Sequence, residues 1–407
     1  MPENASQALR VAVWLLAVLF LAFLGLQLIR PALDDPPVIA EIQAPPEVKQ
    51  ILRQSCYNCH SNETHLPWFD QVVPAYWIVA SDVKQARAHL NFSEIGAAPA
   101  AKQKATLFEA INQIQAKSMP LPAYLRLHPE AKITPEELTT LRKYLASVAP
   151  IPSNDPAPAD AQYAKWIADD AKPVTVQPEF NGLEFLPDYK NWKPISGTDR
   201  FDNGTMRFIL ANEIAMQAIA ANRIKPWPNG SAFAKVTWFQ QADAAGGVRT
   251  GAFQQVELMI KDSKKYASTL GWGFGRWRGA DLKPYGDNAA FAEECVGCHT
   301  PERKFDYVFT TPRPMPNANV ITSTIDRGAG VMSALFGNPA AVQYARSHAD
   351  RDYPPGSVIT FVTWKQQEDD RWFGGNVPAA QLSTETLTFP AKTPNPAIPS
   401  LRAAVMP

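Results

Sequence analysis

The segment VTWFQQ at residues 236–241 returns as VTWKQQ at residues 362–367. Two further pairs of similar segments precede these copies, and the two copies align without insertions or deletions. They are NEIA at 212–215 with NPAA at 338–341, and PNGS at 228–231 with PPGS at 354–357. An ungapped repeat of this kind predicts one supersecondary unit used twice. Its common plan is a helix, a glycine-serine turn and a strand, so the C-terminal part is expected to be mainly β.

The two copies differ just before the repeated strand, where Lys235 in the first is replaced by Phe361 in the second. Short β-type runs at 233–239 and 254–260, separated by Gly, Asn and Pro, support the strand assignment. The equivalent Trp238 and Trp364 are predicted to be core residues rather than redox groups. Only the first copy leads to a cysteine motif, so the second is predicted to be a partial repeat without one.

All four cysteines of the chain lie in two short motifs of the same form, CYNCH and CVGCH. This Cys-x-x-Cys-His pattern is typical of c-type haem attachment, in which two thiols bind the porphyrin and the adjoining imidazole binds the iron. The alternatives are a zinc site built from two cysteine pairs and a thioredoxin-type dithiol. Neither requires a histidine directly after both pairs, so two covalent haems are predicted. The cysteines are Cys56, Cys59, Cys295 and Cys298, and the proximal iron ligands are His60 and His299.

A run of apolar residues from Val11 to Ile29 follows Arg10 and contains no charged side chain. A helix of this length nearly crosses a bilayer. No small-x-small cleavage site or lipobox cysteine follows it, so an uncleaved anchor is predicted rather than a removed signal peptide. The flanking charges barely decide the topology. Because haem attachment takes place outside the cytoplasmic membrane, the bulk of the chain is predicted to be periplasmic, held at a bacterial inner membrane.

The chain has 407 residues, with 39 Lys and Arg balanced by 39 Asp and Glu. This balance gives no sign of nucleic-acid binding, so small molecules and redox proteins are the expected partners. The length predicts two or three domains. The predicted boundaries are a membrane anchor at 1–30, an all-α haem domain at 31–148, a Pro/Ala-rich linker at 149–180, a β domain with the second haem at 181–315, and a haem-free partial repeat with a tail at 316–407.

The N-terminal domain shows helical periodicity, with apolar residues at three-to-four spacing over 77–90 and 104–116 and a short helix over 48–55 before the first motif. The sequence TPEE at 134–137 predicts a capping box with proline at the first helical position. The proline-rich, acidic stretch at 31–46 predicts a tether that lifts this domain off the membrane.

Two residues are candidates for the sixth iron ligand of the first haem. Met119 lies well downstream of the motif, as in soluble electron carriers, and a thioether ligand raises the reduction potential. His128 would instead give a bis-histidine site. The sequence favours Met119, and either residue would leave an electron relay. For the second haem no sixth ligand is predicted, and His348 is expected to be exposed or to cap a helix.

Two resemblances cover most of the chain after the anchor. Residues 56–121 resemble the small haem-binding domains of bacterial multidomain cytochromes. The residues concerned are CYNCHSNET at 56–64, PWF at 67–69, HLNFS at 89–93 and MPL at 119–121. The segment from about 185 to 310 resembles cytochrome P-460. The matching residues are Tyr189 with Trp192, NGS at 229–231 leading to Lys235, KDSK at 261–264, WGF at 272–274, the second cysteine motif and VFT at 308–310.

The cytochrome P-460 resemblance implies a five-coordinate, high-spin c-type haem with an open face. It also implies a covalent link from a lysine to the porphyrin edge, and this lysine falls on Lys235. Related cytochrome c′-beta proteins share the fold without the link. Members that oxidise hydroxylamine use a distal arginine, which falls on Arg207, and a carboxylate shortly before the motif. Here residues 288–292 read NAAFA, and only Glu293 and Glu294 follow. Because a general base must reach the substrate, ligand binding or reduction is a second expectation.

These features predict an α+β multidomain fold, with an N-terminal transmembrane helix, an all-α cytochrome c-like domain and a mainly β cytochrome P-460-like domain with a haem-free partial repeat. The expected function is a membrane-anchored dihaem cytochrome that acts on hydroxylamine or nitric oxide and passes electrons to a redox partner. A gas-binding or electron-transfer cytochrome without turnover and a subunit of a respiratory assembly are the alternatives. Cytochrome P-460-type domains tend to pair, so residues 320–387 are expected to act as an internal partner, with a homodimer as the other arrangement.

Overall fold

A computed structural model describes residues 2–169, 175–243, 246–348 and 352–390. The tail predicted after residue 390 lies outside this range. The chain divides into two compact units, Met1–Tyr144 and Leu145–Pro407. An apolar N-terminal helix, a helical first unit and a β-barrel second unit follow one another along the chain, which is the fold class that the sequence predicts.

The first unit is built from helices. They are α1 (Pro2–Leu26), α2 (Pro46–Ser55), α3 (Tyr57–His60), α4 (Ala75–His89), α5 (Ala100–Gln115) and α6 (Pro135–Ser147). The capping box before α6 is confirmed, since Thr134 N donates to Glu137 Oε2 at 2.8 Å and Glu137 N donates to Thr134 Oγ1 at 3.2 Å. These two bonds satisfy donors that a helix start otherwise leaves unpaired. Residues from α2, α4 and α5, among them Val48, Leu52, Val83, Phe108 and Ile111, form the buried interior.

Helix α1 contains an apolar window, Leu9–Leu26, with a mean hydropathy of 2.5 and no buried residue. Its length and composition are sufficient for crossing a membrane. The same properties fit a membrane anchor and a signal sequence, because both place an apolar helix near the N-terminus.

The stretch at 31–46 is not the free tether that its composition predicts. Ile42 is only 1% exposed, and its N–H donates to Phe92 O at 3.1 Å. Arg87 on α4 pairs with Asp35 at 2.5 Å. Prolines keep this stretch extended, but its backbone N–H groups and apolar side chains find partners on the helical unit. The stretch is therefore part of the first domain and leaves little slack between that domain and α1.

The second unit is a closed antiparallel barrel. Its strands are β1 (Lys193–Arg200), β2 (Thr205–Ala211), β3 (Ala232–Ala242), β4 (Val248–Lys261), β5 (Trp272–Arg278), β6 (Lys283–Pro284), β7 (Asn319–Asp326), β8 (Val331–Gly337), β9 (Val358–Asp369) and β10 (Trp372–Thr388). The order β3-β2-β1-β10-β9-β8-β7-β4 is closed by pairing of β3 with β4, and β5 and β6 extend the sheet from β4. Its helices are α7 (Ala157–Asp169), α8 (Glu213–Ala220), α9 (Phe291–His299) and α10 (Pro339–Ser347).

The sequence repeat forms the two halves of this barrel. The halves join where β1 pairs with β10, with Asp199 opposite Asn376, and where β4 pairs with β7, with Val248 opposite Ile325. The boundary drawn between residues 315 and 316 therefore separates two halves of one sheet.

A repeated asparagine explains why both halves fold alike. Asn212 Oδ1 accepts bonds from Ala215 N at 3.0 Å and Ala232 N at 3.1 Å. Asn338 Oδ1 makes the same two bonds, at 3.0 and 3.1 Å, in the second half. Each asparagine caps the following helix and ties it to the next strand.

Alternation along β3 separates the barrel interior from its outer face. Ala232, Ala234, Val236 and Trp238 point into the core, where Trp238 and Trp364 are both buried as predicted. Phe233, Lys235 and Thr237 consequently lie on the outside. In the stretch predicted as a linker, α7 packs on the barrel, because Gln162 exchanges two hydrogen bonds with the backbone of Phe253, at 3.1 and 2.6 Å.

Candidate functional site

The second cysteine motif forms the C-terminal end of α9 on the outer face of the barrel. Cys295 and Val296 pack against an apolar cluster that includes Phe233 and Trp272. His299 Nδ1 lies 2.6 Å from Tyr307 O. Because a backbone carbonyl can only accept, Nδ1 carries the proton and Nε2 is the nitrogen left to bind a metal.

Aromatic rings and burial complete the setting of His299. Its ring lies 5.2 Å from Phe274 and 5.0 Å from Phe309, measured between centroids. Burial lowers the pKa of His299 to about 4, and the positive charges of Lys235 and Arg276 act in the same direction. The imidazole is therefore neutral at physiological pH, which is the form that binds iron.

Strand register assembles the polar part of the site. One row across the outer face holds Ile209 on β2, Lys235 on β3, Glu257 on β4 and Arg276 on β5. The next row begins with Arg207, directly opposite Thr237. The sheet thus brings together Arg207 and Lys235, the two residues that the family resemblance identifies.

Lys235 forms an ion pair with Glu257 Oε2, and its side chain is 32% exposed. Desolvation lowers the pKa of Lys235 well below its usual value, and repulsion by Arg207 and Arg276 adds to this effect. Cys298 is close enough to oppose the shift electrostatically. A lysine whose pKa is lowered gives up its proton more readily than a solvated one, which makes its amine a better nucleophile.

Glu257 is the carboxylate that the sequence reasoning missed. Arg276 Nε donates to Glu257 Oε1 at 2.7 Å and Arg276 Nη1 donates to Glu294 Oε1 at 3.3 Å, which links the sheet to α9. Glu293, the predicted carboxylate, is exposed on the first turn of α9. The sequence alone does not reveal that Glu257 lies opposite Lys235, because this depends on the register of β3 and β4.

Arg207 is half-buried, and its Nε is a buried atom with no hydrogen-bond partner within the described residues. The same is true of Thr237 Oγ1. Burial lowers the pKa of Arg207, and the neighbouring Arg200 adds to this effect. A buried donor left unsatisfied costs about 1–3 kcal/mol, so these atoms fit a site that an anionic ligand group completes. The apolar cluster beside half-buried cationic groups fits a haem, because the porphyrin ring is apolar and its propionate groups are anionic.

The first cysteine motif fixes its histidine in the same way. His60 Nδ1 lies 3.0 Å from Leu90 O, and its ring packs edge-on to Phe92 at 6.4 Å. Burial lowers the pKa of His60. Burial also raises the pKa of the Cys56 thiol to about 12 and that of Cys59 to about 11. Nε2 of His60 is thus left to bind a metal, as in the barrel.

The two candidates for a sixth ligand differ in their surroundings. His128 is buried, with Nε2 2.8 Å from Asp70 Oδ2 and Nδ1 3.3 Å from Glu130 Oε1. An imidazole that binds iron must present one nitrogen without a proton or competing partner. Met119 is 36% exposed.

His348 is exposed at the end of α10, as predicted. Its ring stacks on Tyr344 at 4.0 Å.

Across the described residues, no group of three or more His, Cys, Asp and Glu side chains is arranged to hold a metal ion.

Family comparisons agree with this geometry. Residues 18–147 match the family described as a haem-binding domain, and residues 186–310 match cytochrome P-460, in that order along the chain. No curated protein matches the sequence. Both cysteine motifs lie within the matched ranges, as do Arg207, Lys235 and Glu257. The two matches support a haem cytochrome.

Arg276 is expected to stabilise the site more than its neighbour Arg278. Replacing Arg276 with Met leaves Glu257 with one cation fewer and removes the link to α9, so the free energy of unfolding should fall by about 1–3 kcal/mol. The measurement is urea unfolding of the full chain, followed by tryptophan fluorescence.

Arg278→Met is the matched control. Arg278 is on the same strand and its guanidinium lies 4.1 Å from the Tyr285 ring, against 4.3 Å for Arg276. Its hydrogen-bond acceptor on the sheet is the neutral Gln255, so its loss should change stability by less than about 0.5 kcal/mol. Equal decreases in the free energy of unfolding in the two variants would show that the contacts of Arg276 with Glu257 and Glu294 do not stabilise the protein more than the contacts of Arg278.

Proposed function

We propose, with the two family matches as the premise, that the protein is a membrane-anchored, periplasmic c-type cytochrome with two haems. The barrel haem binds and converts a small nitrogen compound, hydroxylamine or nitric oxide, and the haem of the helical unit relays electrons to a partner protein. The observation that carries this proposal is the row of Lys235, Glu257 and Arg276 beside His299 within the cytochrome P-460 match.

Cysteine and histidine side chains would hold the two haems. Cys56 and Cys59 would form the thioethers of the first haem, and Cys295 and Cys298 those of the second. In both units a carbonyl fixes the proximal histidine so that Nε2 can bind iron. Thioether formation by the usual maturation systems places these units outside the cytoplasmic membrane, and α1 would serve as the anchor.

Met119 is the proposed sixth ligand of the first haem. Both ring nitrogens of His128 lie close to carboxylate oxygens, although Nε2 and Asp70 Oδ2 lack hydrogen-bond geometry, so binding of iron by Nε2 would require the Asp70 carboxylate to move. A thioether ligand closes the iron to other ligands and raises the potential, which suits electron transfer.

The barrel site would keep one face of its haem open. When bound, the haem supplies an iron that binds the nitrogen ligand and exchanges electrons with it. The chain contributes a proton acceptor and a positive charge. Glu257 is the proposed acceptor of substrate protons, held by Arg276 Nε at 2.7 Å. Arg207 would stabilise negative charge through its Nε, which has no hydrogen-bond partner in the described part of the chain.

Removal of one cysteine pair is expected to remove one haem. Cys56→Ala with Cys59→Ala should leave a predominantly high-spin protein, because the barrel haem remains. Cys295→Ala with Cys298→Ala should leave a low-spin one. Haem content by pyridine haemochrome and optical spectra of membrane-extracted protein measure both effects. Two low-spin haems in the unaltered protein would contradict the division of roles.

Lys235 is expected to be bonded to the haem edge. The lowered pKa of Lys235 and its position near Cys298 support this bond. Formation of the bond replaces one N–H and one C–H by N–C and passes two electrons and two protons to an external oxidant such as hydrogen peroxide. Mass spectrometry of a tryptic digest should find the Lys235 peptide joined to the Cys295–His299 peptide through one haem, with a mass lower by two hydrogen atoms than the sum without the link. An unlinked Lys235 peptide would favour the alternative, a gas-binding cytochrome without turnover.

Glu257→Gln is expected to lower hydroxylamine-dependent reduction of an electron acceptor by about 100-fold, since a positioned acid-base group contributes about 10²–10⁴. Binding of nitric oxide, followed optically, should persist. Glu293→Gln is the matched control, because Glu293 is exposed on α9, and its activity should match that of the unaltered protein. A large loss in Glu293→Gln with full activity in Glu257→Gln would reverse the assignment.

A further inference from the structure

The turn after the second cysteine motif contains two strained residues. Asp306 has φ of 54° and Tyr307 has φ of 66°, in the left-handed region that residues with a side chain seldom adopt. Each such residue costs about 1–3 kcal/mol, so its surroundings must hold it there. This conformation places the carbonyl oxygen of Tyr307 2.6 Å from His299 Nδ1.

Asp306 is fixed by three partners from the barrel. Its Oδ1 lies 2.7 Å from Lys261 Nζ, its Oδ2 accepts from Trp227 N at 2.9 Å, and its carbonyl accepts from Trp272 Nε1 at 2.9 Å. The side chains of Lys261 and Asp306 are only 7% and 11% exposed. Burying such a pair has a large desolvation cost, and apolar replacements are often as stable. Its presence therefore needs a reason other than general stability.

The second half of the barrel shows that the fold does not need the lysine. Lys261 exchanges backbone bonds with the turn at Gly230 and Ser231, at 2.8 Å each. Phe389 makes the same two bonds with Gly356 and Ser357, at 2.8 and 3.0 Å. Phe389 is thus the structural counterpart of Lys261, and it is 2% exposed in an apolar cluster. The half with a haem motif has a buried lysine where the half without one has a phenylalanine.

The haem-free half also supports the same turn. Arg371, between β9 and β10, donates from Nη1 to Val308 O at 2.7 Å and to Phe309 O at 3.0 Å. Its guanidinium carbon lies 3.3 Å from the centroid of the Phe305 ring. The turn that carries Tyr307 O is therefore held on one side by Lys261 and on the other by Arg371.

We propose that Lys261 and Asp306 are positioning residues for the barrel haem. By holding Tyr307 O on His299 Nδ1 they strengthen the donation of the imidazole to iron and keep the reduction potential of this haem low. A carbonyl bonded to the second nitrogen of a ligand histidine makes that histidine more basic, and a more basic ligand favours the oxidised metal. The inference rests on the proposed function, because it takes His299 as the iron ligand.

The test compares Lys261→Phe, which installs the residue of the second half, with Asp306→Asn, which removes the charge with little change of shape. Redox titration of the full-length protein, followed at the Soret bands of both haems, measures the potentials. We expect the potential of the barrel haem to rise, with the reduced-to-oxidised ratio at a fixed potential increasing about tenfold. The iron-histidine stretching frequency of the reduced barrel haem should fall in resonance Raman spectra.

Two controls separate positioning from general damage. Lys261→Arg keeps the ion pair and should retain the potential, and Lys264→Met removes an exposed lysine of the same segment. The first haem serves as an internal reference and should not change. An unaltered potential and stretching frequency in both Lys261→Phe and Asp306→Asn would overturn the inference, and so would equal shifts at the two haems.

Failure of the proposed function would look different. A barrel without haem, or an iron-histidine stretch that survives His299→Gly, would already be seen without any change at Lys261. If Lys261→Phe does not fold, as judged by circular dichroism, the nearly isosteric Asp306→Asn decides the question alone.

Discussion

Strand β4 must pair with three other strands, and the site depends on this constraint. One edge of β4 pairs with β3, while the other pairs with β7 at its start and with β5 at its end. The pairings with β3 and β7 together close the barrel, and the pairing with β5 places that strand beside the outer face that carries Lys235. Since side chains alternate across a strand, a slip of β4 by one residue would turn Glu257 into the core, away from Lys235 and Arg276. Closure and site assembly are therefore specified by the same register.

The internal repeat provides a comparison within one molecule. Lys235 and Lys261 have apolar counterparts, Phe361 and Phe389, in the half without a cysteine motif. The shared elements, such as the capping asparagines and the core tryptophans, are those that the barrel requires. Residues that differ between the two halves are not required by the barrel fold. The charges of Lys235 and Lys261 therefore point to a ligand in the half that carries the cysteine motif.

Local signals account for what could be predicted from the sequence. The cysteine motifs, the capping box at Thr134 and the repeated strands depend on neighbours in the chain, and the structure shows the helices and strands where these signals lie. Glu257 could not be found in this way, because its role depends on the register between strands. The stretch at 31–46 has the composition of a tether, yet its packing depends on surfaces formed by distant helices. Composition predicts local structure wrongly where a segment is held by contacts with residues far away in the sequence.

The charges around Lys235 connect its proposed bond to the haem with the proposed role of Glu257. In the structure Lys235 and Arg276 each form an ion pair with Glu257. A bond from Nζ to the haem edge would remove the positive charge of the amine, since nitrogen attached to the conjugated ring is no longer basic. Glu257 would then keep Arg276 as its cationic partner, and its Oε2 would lose the ion pair with Lys235. The covalent link would thus anchor the haem and also convert Glu257 from an ion-pair partner into a base able to accept a proton.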